Sequence, residues 1–102
     1  MAHVKEKTMN TLHIINAPQT PAGFTTTLSR FSPMDSVIFI QDGCYGLNAP
    51  EIITAMSALT ITVYAIDDDL SARNVLITEA IKAIDYDAFV DLTLAHHKTI
   101  SW

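Results

Sequence analysis

Three short runs of nearly unbroken apolar residues constrain this chain most: Thr11–Asn16 (TLHIIN), Ser36–Gln41 (SVIFIQ) and Thr60–Ile66 (TITVYAI). Each is too short for a helix core and too apolar for a strand with one wet face. They read as strands covered on both sides, the pattern of a parallel sheet with helices on its two faces. Between them lie helix signals. Thr20 and Pro21 open a helix predicted over Pro21–Phe31, with Phe24, Leu28 and Phe31 at helical spacing. Asn48 and Pro50 open a second, predicted to run to about Leu59. Ala80–Ile84 reads as a fourth strand and Lys98–Trp102 as a short fifth. A short helix over Leu70–Asn74, capped by one of Asp67–Asp69, precedes the fourth strand, and Asp85 caps a helix over Tyr86–His96 after it. The expected fold is α/β, a three-layer sandwich around a largely parallel sheet of about five strands.

A chain of 102 residues makes one domain. Residues 10–102 are assigned to it, and residues 1–9 to a flexible extension, tag or alternative start ahead of Met9. The composition narrows function by exclusion. Charged residues are 17% and net charge is −5. Six scattered Lys and Arg make no phosphate-binding patch, so no direct nucleic-acid contact is expected. The charge-free run Thr8–Ser29 is broken by Pro18, Pro21 and Gly23, and Ile52–Ile66 falls short of a span, so no membrane segment is expected either. A single cysteine excludes an internal disulfide framework and a multi-thiolate zinc site. With no basic-then-apolar leader, these features place the chain in the cytoplasm. A small domain so poor in charge is expected to cover part of its surface with other chains; Thr11–Ser29 and Gly43–Leu59 are the charge-poor candidates for that contact.

In open parallel sheets ligands sit beyond the carboxyl ends of the strands. Those ends here carry Asn16, the loop Asp42-Gly43-Cys44-Tyr45, the run Asp67–Asp69 and Asp85-Tyr86. Cys44 is the candidate reactive thiol, in a glycine-flanked loop before a helix; the alternative is a small packed residue. No Lys, Arg or His lies near it in sequence, Asp42 would raise its pKa, and no Arg closes the loop as an anion cradle needs. The aspartate run reads as a helix cap with solvated charges, since a Mg²⁺ pocket would need carboxylates where Asn16 stands. His96-His97 point in different directions and make no metal site. His13 within a strand is a hydrogen-bonded core or interface histidine, and Trp102 an amphipathic interface anchor or a packed sheet edge. No metal or cofactor is expected.

The strings LHIIN (Leu12–Asn16), VIFIQDGCYG (Val37–Gly46), VYAIDDDLSAR (Val63–Arg73), IDYDAFVDLT (Ile84–Thr93) and the terminal SW resemble, in order and spacing, the DsrH/TusB family. The resemblance implies a cytoplasmic α/β subunit that assembles with two paralogous chains, TusC/TusD-like or DsrE/DsrF-like, into a heterohexamer. Such complexes pass persulfide sulfur between cysteines, exchanging it with upstream and downstream sulfur-carrier proteins. The Tus branch ends in 2-thiolation of wobble uridine in tRNA, the Dsr branch in dissimilatory sulfur oxidation. The principal sulfur-carrying cysteine of the Tus complex belongs to the TusD-like partner. The resemblance therefore implies a mainly structural, non-catalytic subunit of a sulfurtransferase, homo-oligomeric when isolated. Three departures stand out. No cysteine lies near Thr26–Leu28, where DsrH-type members can carry one; Asn74 stands where glycine is common; Cys44 replaces an aliphatic residue. Two other readings compete: Cys44 as a persulfide carrier in either branch, and a small-ligand module on a flavodoxin-like scaffold, although Asn16-Ala17-Pro18-Gln19 makes no glycine-rich phosphate loop.

Overall fold

Each apolar run becomes a strand. The computed structural model describes residues 8–102, with only the backbone of Thr8 and Met9; the rest of the expected N-terminal extension lies outside it. Strands β1 (Thr8–Ile15), β2 (Ser36–Phe39), β3 (Thr62–Ile66), β4 (Ile81–Ile84) and β5 (His96–Ser101) alternate with helices α1 (Pro21–Leu28), α2 (Pro50–Ser57), α3 (Asp67–Ala72) and α4 (Tyr86–Ala95). The sheet has five strands in the order β4-β3-β2-β1-β5. Every pairing is parallel.

The chain steps outward from β1 to β4, then recrosses the whole sheet to place β5 on the far side of β1. Right-handed crossovers in opposite directions put their helices on opposite faces. Phe24, Ile52, Met56 and Leu70 from α1, α2 and α3 pack with Ile15, Val37, Phe39 and Val63 on one face. Phe89 and Leu92 of α4 pack on Leu12, Ile38 and Ile66 on the other. The central strand β2 is buried throughout, as its unbroken apolar run requires. Among the described residues no helix is long and apolar enough to cross a membrane.

Local chemistry explains the element boundaries. Thr20 Oγ1 accepts from the Gly23 amide at 3.0 Å, capping α1. Thr25, Thr26 and Thr27 turn their hydroxyls back onto the carbonyls of Pro21, Ala22 and Gly23, which lets a threonine triplet sit in a helix. α1 stops at Leu28, short of Phe31, because Ser29 closes its last turn and Phe31 is drawn onto His13. Asn48 does not cap α2: it ends a 3-10 segment, Gln41–Asn48, and Ala49 takes the cap position with no side-chain bond. That segment replaces the loop expected around Cys44. The aspartates do not precede α3 either; all three lie in its first turn, with Ile66 at the cap position, where their charge complements the helix dipole. Asn74 follows this helix at φ 57°, a left-handed conformation that glycine or asparagine takes most cheaply. Asp85 caps α4 as expected, accepting from the Ala88 amide at 2.8 Å.

Candidate functional site

β3 and β4 are neighbours, yet α3 leaves on one face and α4 on the other. A crevice beyond strand ends whose helices diverge in this way is where open α/β sheets bind ligands. In this chain a network of its own side chains spans these strand ends. Asp69 Oδ2 accepts from the Tyr86 hydroxyl at 2.7 Å and from the Gln41 amide at 2.7 Å. Arg73, one turn further along α3, donates from Nε to Asp42 Oδ1 at 2.9 Å and lies 3.7 Å from Asp69. One carboxylate thus ties together the ends of β2, α3 and α4. The Asp69 hydrogen bond and the loss of solvent push the Tyr86 phenol up to about 12. Gln41 holds φ 51°, so that its amide points at Asp69.

Cys44 lies beneath this network, not within it. Its side chain is fully buried, packed in the core between Phe39 and Leu47, and its Sγ lies 3.5 Å from the Phe39 carbonyl. Burial, then the Asp69 carboxylate, raise the thiol to about 11; Arg73 opposes them and Asp42 adds to them. An attacking thiolate needs exposure and positive surroundings. Cys44 has neither in the isolated chain. Gly43 fixes this geometry, because a β-carbon there would meet the backbone of Ile15, 2.7 Å from its carbonyl carbon. Tyr45 is half-exposed at the rim. Asp42, Gly43 and Tyr45 are therefore respectively an ion-pair partner, a close-packing point and a surface aromatic. Arg73 supplies the cation that no sequence neighbour of Cys44 offers, but it is already shared between two carboxylates.

His13 and Trp102 form a second cluster. His13 is 1% exposed and stacked on Phe31 at a centroid distance of 3.8 Å. Trp102 Nε1 donates to His13 Nδ1 at 3.1 Å, and an indole can only donate. The ring proton therefore sits on Nε2, which donates to Asp35 Oδ2 at 2.8 Å. Asp35 also accepts from the amides of Thr11 and Ser32. Burial would raise its carboxyl, but the Ser32 amide, His13 and the Thr11 amide together hold it below the ordinary value. This buried chain pins the end of β5 to β1 and puts His13 in the core; Trp102 packs on its own sheet. Asp35 was missed in sequence because nothing local marks it. His96 is likewise spent on the Leu92 carbonyl at 2.8 Å, and among the described residues no three His, Cys, Asp or Glu side chains converge in a way that could hold a metal.

Comparison with known proteins agrees with this architecture. The family described as DsrH like protein matches residues 17–99. Protein TusB of Shigella sonnei is 31% identical over 94 residues, covering 89% of this chain and 99% of that protein. Protein TusB of Photorhabdus laumondii is 32% identical over 71 residues, 67% of this chain and 75% of that protein. The crystal structure of the ychN protein from E. coli superimposes with a TM-score of 0.70 at 9% identity, covering 93% of this chain and all of that one, a likeness of fold. The chain belongs to the DsrH family.

Proposed function

We propose that this DsrH-family chain is a mainly structural subunit of a persulfide sulfur-relay complex that supports 2-thiolation of wobble uridine in tRNA. The observation that carries the reading is the similarity to TusB proteins along nearly the whole chain. Two features of the site support the structural role. At the β3/β4 ends Asp69 is bonded to Tyr86 and paired with Arg73, and the only thiol is buried and held protonated. The partners on this reading are TusC/TusD-like chains in the cytoplasm, with upstream and downstream carrier proteins delivering and receiving sulfur.

The test is genetic and biochemical together. Affinity capture of this chain from its native cell should bring down TusC- and TusD-like subunits. Deleting its gene should remove 2-thiouridine from the relevant tRNAs, and a Cys44→Ser copy should restore it. Failure to recover paralogous subunits, or normal thiolation in the deletion strain, would reject the assignment. Failure of Cys44→Ser alone to rescue would make Cys44 a sulfur carrier within the same complex.

A further inference from the structure

α4 spans the second face of the sheet by itself, and none of its residues is fully buried. Phe89 and Leu92 turn inward. Tyr86, Val90 and Leu94 recur every four residues on the outer side and are 42%, 55% and 63% exposed. A shallow apolar groove of about 320 Å³, floored by Tyr64 and Ile84, runs along the opposite flank of α4, lined by Ala88, Leu92 and Ala95 and separated from this stripe by Asp91. By contrast, the Gly43–Leu59 segment expected to meet partners spends Cys44, Leu47, Ile52 and Met56 on this chain's own core.

Charge selects what covers the α4 surface. Asp87 and Asp91 flank the stripe, and no Lys or Arg occurs between Lys82 and Lys98. Lys82, on the same side of the sheet, lies over the Tyr64 ring at 6.0 Å. In a two-fold contact with antiparallel α4 helices, Asp87 and Asp91 lie on one flank of the stripe and oppose those of the second copy, a like-charge arrangement that disfavours self-association. The complementary surface is an apolar patch edged by lysine or arginine.

We infer that the outer side of α4, centred on Val90 and Leu94, is where this chain docks a different subunit carrying such a basic-rimmed apolar patch. The inference rests on the proposed role as a complex subunit. Its test uses the complex purified after co-expression with the TusC- and TusD-like chains of the same organism. Val90→Asp with Leu94→Asp should lower recovery of the partners at least tenfold, while Leu76→Asp, at another highly exposed apolar position, leaves it unchanged. Asp87→Lys with Asp91→Lys should weaken association and flatten its dependence on salt. Circular dichroism and melting temperature, read on each variant alone, keep folding separate from docking. Wild-type recovery with a folded Val90→Asp, Leu94→Asp variant overturns the assignment of α4 and leaves the subunit role intact. No recovery with the unaltered chain overturns both. Self-association abolished by the same pair of substitutions overturns the hetero-partner.

Discussion

The reactivity of Cys44 separates a structural subunit from a sulfur carrier, and the structure sets its size. Thiols attack as thiolates. An ordinary thiol near 9 is roughly one-tenth ionised at about pH 8, whereas one raised to about 11 is about 100-fold less ionised. Access sets the rate: the side chain is fully buried, so reagent must await a local opening, in which the thiol regains its ordinary ionisation. An opening of about 3 kcal/mol is populated roughly once in 100 molecules. Native Cys44 should therefore react with a disulfide reagent about 100-fold more slowly than in concentrated denaturant at the same pH. The native rate should keep rising with pH beyond about 9, where an ordinary thiol levels off. Stopped mixing with an aromatic disulfide gives both rates, and intact mass after incubation with a persulfide donor reads sulfur transfer directly. A native rate within about tenfold of the denatured one, or stoichiometric gain of a sulfur atom by the folded chain, would refute the reasoning. Asp69→Asn provides the internal check: it removes the carboxylate that raises the thiol most, so the thiol should titrate lower without becoming exposed.

Other consequences are equally direct. Asp35→Ala strands three donors, from Thr11, Ser32 and His13, and should cost about 3–5 kcal/mol in urea unfolding followed by Trp102, the only tryptophan. Because the Asp35 carboxyl is held below its unfolded value near 3.8, its contribution is complete above that pH and is lost as pH falls through the lower folded value; Asp35→Asn should flatten this acid limb of the melting curve. Gly43→Ala forces a β-carbon against the Ile15 backbone and should lower stability by about 3 kcal/mol, read from the denaturant midpoint. Phenolate titration should show one of three tyrosines ionising near 12; Asp69→Asn should bring it back toward 10, and Tyr86→Phe should remove it.

The Asp69 network bears on the non-catalytic role proposed for this chain. The β3/β4 ends offer the position at which related sheets bind ligands, but Asp69 spends its lone pairs on Tyr86, Gln41 and Arg73. A network of this kind ties the strand ends to one another and commits the Asp69 carboxylate to structure. What it rigidifies is the start of α4, since Tyr86 is that helix's first residue.

Short-range physics made much of this protein readable from its sequence. The strands announced themselves because a run such as VIFI can be stable only with both faces covered, and the caps at Thr20 and Asp85 because a side-chain oxygen beside three free amides is a local bargain of a few bonds. Family membership was legible for the same reason, as ordered strings. The boundaries around Asn48 and Asp67–Asp69 were not, because which residue caps a helix depends on where the preceding strand points, and Gln41 and Ile66 decide that. Nor was the site. Arg73 meets Asp42 across 31 residues, Tyr86 meets Asp69 across 17, and Trp102 meets His13 across 89. The first exists because β3 lies beside β2, and the other two because the chain then lays α4 on the opposite face and β5 beside β1. Periodicity fixes which side of an element is apolar; strand order, which is settled by packing of the whole sheet, fixes what that side meets.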